Sequence, residues 1–146
     1  MINVSINAEE FTKKIVESFS LNLKETYRDI GLIFMDAIAK QFETEGRYFD
    51  SVGWKPLAPS TILERQRLGF FPINILRRRA GDAGLLGSIN LSFDSEGVVI
   101  GTNVHYAKYL QEGTSKMPAR PFFPTGSIPQ VLMDDIAYIV SQNLLN

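Results

Sequence analysis

The chain has 146 residues, 15 basic and 16 acidic side chains, 45% hydrophobic residues and 11% aromatics. These values describe a globular chain of about one domain and exclude a disordered tail or a cationic field spread over the whole surface. With no cysteine and one histidine, His105, disulfide frameworks, thiolate metal sites, cysteine nucleophiles and multi-histidine centres all drop out. No cofactor is expected.

No apolar run approaches the roughly 18 residues of a membrane span, so no membrane partner is expected. The polar start, 1–10, lacks a signal-peptide pattern and predicts synthesis and assembly in the cytoplasm. Charge is uneven along the chain: residues 1–46 are net −3, 47–80 net +5 and 81–146 net −3. A basic middle between acidic flanks points to contacts between segments or copies.

The first third predicts two helices. Asn7 with Glu10, then Asn22 with Glu25, each have capping-box spacing. Phe11, Ile15 and Phe19 fall on one face of the first helix. Leu23, Tyr27, Ile30, Phe34, Ala37 and Ile38 fall on one face of the second, which stops at Gly46. Gly31 inside it is a weak point, about 1 kcal/mol worse than alanine.

Residues 47–84 are broken by Gly53, Pro56, Pro59, Gly69, Pro72, Gly81 and Gly84. One short helix fits at 61–68, with Ile62 and Leu63 inward; the rest reads as loop. Loops this long are usually functional or ordered only on binding. Trp54, among prolines, is either a plug for a small core or an exposed anchor.

Residues 85–103 read as β: 88–93 alternate polar and apolar, 94–97 form a turn with Gly97, and 98–102 return, which is a β-hairpin. A short helix at 104–112 ends at Gly113. Arg120, Phe122 and Phe123 stand in a proline-fenced stretch suited to an edge segment. Two neighbouring phenylalanines on extended chain face opposite ways, so one enters the core and the other needs a partner. A last helix, 128–145, carries the stripe Val131, Leu132, Ile136, Ile139, Val140 and Leu144. The sum is an α+β fold in one domain, 1–146: a small antiparallel sheet of three to four strands around a central hairpin, packed by two N-terminal helices and a C-terminal helix.

Catalytic patterns are absent or incoherent. Gly81, Gly84 and Gly87 follow no strand and precede no Gly-Lys-Ser/Thr. Asp134 and Asp135 are adjacent and diverge on a helix. A hydrolase would have to work through His105 without a nucleophile elbow near it. The chain therefore reads as a non-enzyme with no small-molecule substrate. The one basic cluster is Arg65, Arg67, Arg77, Arg78 and Arg79, with Phe70 and Phe71 between. Arginine forks suit carboxylates of a neighbouring subunit, or phosphates if the module binds nucleic acid, which is the alternative reading.

Two segments carry a resemblance. One is Trp54-Lys55-Pro56-Leu57-Ala58-Pro59-Ser60-Thr61, followed by Leu85-Leu86-Gly87-Ser88-Ile89. The other runs from Ile100-Gly101-Thr102-Asn103-Val104-His105-Tyr106-Ala107 through Gln111-Glu112-Gly113 to Pro118-Ala119-Arg120-Pro121-Phe122-Phe123. In this order they resemble the tail-completion or virion morphogenesis proteins of tailed phages, the Mu-like family. Two positions depart from the family pattern: Leu110 stands where a histidine is usual, and Asp82-Ala83 where Thr-Gly is usual.

The resemblance implies a non-enzymatic part in phage or prophage tail completion or head–tail joining. It implies localisation in the host cytoplasm and then at the virion's head–tail junction or tail end. The expected partners are further copies of the chain, in a ring or other homo-oligomer, and head–tail connector or tail proteins. The candidate interface is Trp54, Arg65, Arg67, Arg77, Arg78, Arg79, Tyr106, Gln111, Arg120, Phe122 and Phe123. In that reading the arginine-rich loop 65–79 of one copy meets an acidic helix surface of the next.

Overall fold

The computed structural model describes residues 8–50, 52–71, 73–76, 84–124 and 128–144. Among them the fold is α+β. Helix α1 (Ala8–Glu43) is followed by α2 (Pro59–Arg67), α3 (Gly84–Gly87), β1 (Asn90–Phe93), β2 (Val98–Gly101), α4 (Ala107–Glu112) and α5 (Gln130–Leu144).

The two expected N-terminal helices are one helix of 36 residues, about 54 Å long at 1.5 Å per residue. Ser20-Leu21-Asn22 holds no proline or glycine, and Ser and Asn cost only a fraction of a kcal/mol each inside a helix. The apolar series Ile15, Phe19, Leu23, Tyr27 also keeps its phase across that point. Asn22 is therefore no cap; its carbonyl accepts the Thr26 hydroxyl one turn on, at 2.7 Å.

α1 ends at Glu43, and the expected stop at Gly46 is the turn that follows it. The chain turns through Glu45 at φ 50° and Gly46 at φ 92°. The Gly46 N–H closes back on the Gln41 carbonyl at 2.9 Å. A Cβ at Gly46 would sit 2.5 Å from the Trp54 ring, so glycine also lets Trp54 seat against the helix end.

Among the described residues the sheet has two strands, not three or four, and the β stretch expected from Leu85 starts instead with α3, closed by the Ser88 N–H on the Gly84 carbonyl at 3.2 Å. β1 and β2 pair antiparallel, with Leu91 opposite Ile100 and Phe93 opposite Val98. Asp94 closes the turn by accepting the N–H groups of Glu96 and Gly97 at 2.7 and 3.0 Å. The proline-fenced stretch around Arg120 is not a strand; Pro118 and Pro121 lack the N–H that a ladder needs.

The hairpin lies on α1 at Gly31. A Cβ there would collide with Leu91 Cδ1 and stand 2.9 Å from Val98 Cγ2. The glycine that looks like a weak point in the sequence is the seat of the sheet. α5 packs antiparallel to α1, with Asn143 donating to the Asp29 carboxylate at 3.0 Å near its end.

The core joins Ile38 and Phe42 of α1 with Trp54, Ile75, Leu85, Ile89, Ala107 and Phe122. Leu132 of α5 is buried as well, at 1% exposure. Two inward expectations fail: Leu63 of α2 and Val131 of α5 are exposed. α2 buries none of its residues. Ile62 is half-buried, and the α5 stripe is buried at Leu132 and half-buried at Ile136, Ile139, Val140 and Leu144.

Candidate functional site

The stretch Ala119-Arg120-Pro121-Phe122-Phe123 is held by side chains, because it belongs to no sheet. The Arg120 guanidinium donates to the Lys55 and Pro56 carbonyls, both at 2.9 Å. The Pro121 carbonyl accepts from Gln41 Nε2 at 2.9 Å and Trp54 Nε1 at 2.8 Å. Gln111 Oε1 accepts the N–H groups of Phe122 and Phe123 at 3.0 and 3.1 Å, and Gln111 Nε2 donates to the Phe123 carbonyl at 3.2 Å. Gln41 also accepts the Phe49 N–H at 3.0 Å through Oε1.

Both amide side chains thus use each end, and no buried side-chain polar atom among the described residues lacks a partner. Gly113, at φ 77°, lets Ala119 approach: a Cβ there would be 2.7 Å from the Ala119 nitrogen. Trp54, Gln111 and Arg120, which stand in the segments that carry the sequence resemblance, thus help to tie α1, the Trp54 segment and α4 together.

This joint forms one wall of an open groove of about 810 Å³ between the Trp54 segment, α2 and the 106–118 stretch. Leu57, Leu76, Leu110 and Met117 give it an apolar lining. Lys55, Arg65, Lys116 and Arg120 give it four cations, and no described Asp or Glu lines it. Burial lowers the pKa of Arg120 from its ordinary value, and the Arg65 charge lowers it further. Both guanidiniums already donate to backbone carbonyls, Arg65 to Asn74 and Arg120 to Lys55 and Pro56, so Lys55 and Lys116 are the exposed cations of the groove.

The expected interface residues divide into three groups. Trp54, Arg120 and Phe122 are buried at 8%, 7% and 1% exposure, so they build the core and the joint. The Trp54 ring meets Phe42 edge-on, which settles it as a plug rather than an exposed anchor. Phe123 is half-buried against the core cluster and its ring stands 4.6 Å from that of Phe122, so the two phenylalanines share one apolar body. Gln111 is half-buried in the joint.

Tyr106, 41% exposed, lines the groove. Arg65 also lines it and donates to the Asn74 carbonyl at 2.7 Å, while Arg67 is exposed at the end of α2. Arg77, Arg78 and Arg79 lie outside the described residues, as does Asp82-Ala83. His105 is exposed and stands edge-on to Tyr106. Leu110, at the usual histidine position, is part of the groove lining.

Sequence reasoning missed Gln41, Lys55 and Lys116. Gln41 had a signal: it falls three residues after Ile38, a polar side chain in phase with a buried stripe. Lys55 and Lys116 had none, because their meeting depends on how two distant loops fold back.

A model of the phage virion morphogenesis family matches residues 6–134. The chain belongs to that family. The match takes in α1, the Trp54 segment, the hairpin, the joint and the first turn of α5. No match was found among curated proteins or among solved structures. The virion morphogenesis family gives the chain a role in assembling phage particles. Among the described residues no helix is long and apolar enough to cross a membrane.

Proposed function

We propose that the protein works in tail completion or head–tail joining, as a non-enzymatic building block that contacts copies of itself and head–tail connector or tail proteins. It would act in the host cytoplasm during assembly and remain at the head–tail junction or tail end. One observation carries the reading beyond general virion assembly. Arg120, in one of the family-like motifs, donates to the Lys55 and Pro56 carbonyls and so holds together one wall of a cationic groove open to solvent. A rigid groove with four cations and an apolar lining suits an acidic, apolar protein segment.

Deleting the gene from an inducible phage or prophage and imaging the lysate by negative-stain electron microscopy tests the step. Full heads beside unattached tails are expected. Infectious, intact particles would overturn the reading.

A further inference from the structure

α5 presents one face that is left uncovered among the described residues. Val131, Asp134, Asp135 and Tyr138 stand at i, i+3, i+4 and i+7, on one side of the helix. All four are exposed, Val131 at 58% and Tyr138 at 64%. The buried and half-buried residues of α5, Leu132, Ile136 and Ile139, are a different set. The exposed face therefore combines large apolar side chains with carboxylates.

Its charge is unbalanced. α5 holds two carboxylates and no Lys or Arg. Asp134 accepts the neutral Gln130 amide at 2.8 Å. Asp135 makes no ion pair among the described residues, and Lys40 of α1, within its electrostatic reach, is held by Asp36 at 2.9 Å. On α1, by contrast, Glu17, Glu25, Asp29 and Asp36 each pair with a Lys or Arg of the same helix.

The groove has the converse character. Lys55 and Lys116 are exposed on it, and neither ammonium makes an ion pair among the described residues. Leu57, Leu110 and Met117 line it, and no described Asp or Glu does. Each surface holds the charge that the other lacks, and both are apolar.

We propose that the Val131–Tyr138 face of α5 in one copy lies in the cationic groove of the next, with Asp134 and Asp135 against Lys55 and Lys116 and with Val131 and Tyr138 on the apolar lining. This rests on the oligomeric part of the function proposed above. Affinity comes from the apolar area removed from water at Val131 and Tyr138. Exposed ion pairs add little to it, and instead set partner choice and register. Tyrosine suits such a contact because its ring leaves water while its hydroxyl stays at the wet edge. Helix face and groove are different surfaces, so the contact is head-to-tail; the series closes into a ring where the rotation allows.

The cysteine-free sequence makes the test direct. Gln142→Cys places a thiol one turn beyond Tyr138, and Ala58→Cys places one on the groove wall. Both positions are exposed, so both variants should retain the far-UV circular dichroism of the parent. With a short bis-maleimide, the double variant should give a ladder of covalent oligomers on a denaturing gel. An equimolar mixture of the two single variants should give one mixed dimer, and neither single variant alone should give a dimer.

Dimers from Gln142→Cys alone would show α5 pairing with α5 and overturn the proposal. So would the absence of any intermolecular product from the double variant. In sedimentation velocity, Asp134→Lys with Asp135→Lys should abolish self-association, and adding Lys55→Glu with Lys116→Glu should restore it; no restoration would contradict the contact. A failed cross-link beside unattached tails in the deletion lysate would remove this contact and leave the joining role standing.

Discussion

At the scale of single residues, Arg120 and Gln41 show how polar side chains replace a ladder. The segment around Pro56 has no sheet partner, so its carbonyls need donors from elsewhere, and Arg120 supplies two from one planar fork. Arg120→Lys keeps the charge but offers a point donor. It should lower stability by about 1–2 kcal/mol, since hydrogen bonds to charged groups are worth about 1.5–3 kcal/mol each. Thermal unfolding checks this, with a drop of a few degrees expected; an unchanged midpoint would contradict the role.

Gln41→Leu should cost about 1–3 kcal/mol in urea unfolding, because it strands the Phe49 N–H and removes one of two donors on the Pro121 carbonyl. Arg120 stood out in the sequence, but as an interface group on an edge segment. An arginine between prolines gives no sign of the carbonyls waiting for it 64 and 65 residues away.

At the scale of elements, α1 and the hairpin depend on each other through Gly31. Gly31→Ala should gain about 1 kcal/mol of helix propensity. Its methyl group would displace Leu91 and Val98 together, and crowding of this kind costs about 1–3 kcal/mol. The net expectation is a loss of stability with weakened hydrogen-exchange protection in β1 and β2. A more stable variant would contradict the seat.

The hairpin, the Gly46 stop, α4 with Gly113 and α5 were legible from alternation, glycine position and helical spacing, which are local signals. The false break at Ser20-Leu21-Asn22 came from weighting a capping pattern above an apolar phase that never slipped. The missing third and fourth strands came from reading a proline-fenced segment as an edge, when side chains bond its backbone instead. Leu63 and Val131 were misplaced because a periodic stripe says which face is apolar, not how much of it finds cover.

At the scale of the molecule, the basic middle and acidic flanks of the sequence become a place. Lys55, Arg65, Lys116 and Arg120 line one groove, and no described Asp or Glu lines it with them. Charge bias along the chain was visible without a structure. Which cations converge was not, because Lys116 and Arg120 come from outside the basic segment. Lys55→Glu with Lys116→Glu changes two exposed side chains. It should leave the unfolding midpoint within about 0.5 kcal/mol of the parent, as surface changes usually do, while abolishing function.

That pair is the sharpest probe of the account, which holds that the outward groove is a contact surface needed for virion assembly. A phage deleted for the gene should be complemented in parallel with the parent gene and with the Lys55→Glu, Lys116→Glu gene, and each lysate imaged and titred. The account predicts joined, infectious particles with the first and full heads beside unattached tails with the second, both proteins being present at equal level. Equal titres of joined particles from the two would contradict it.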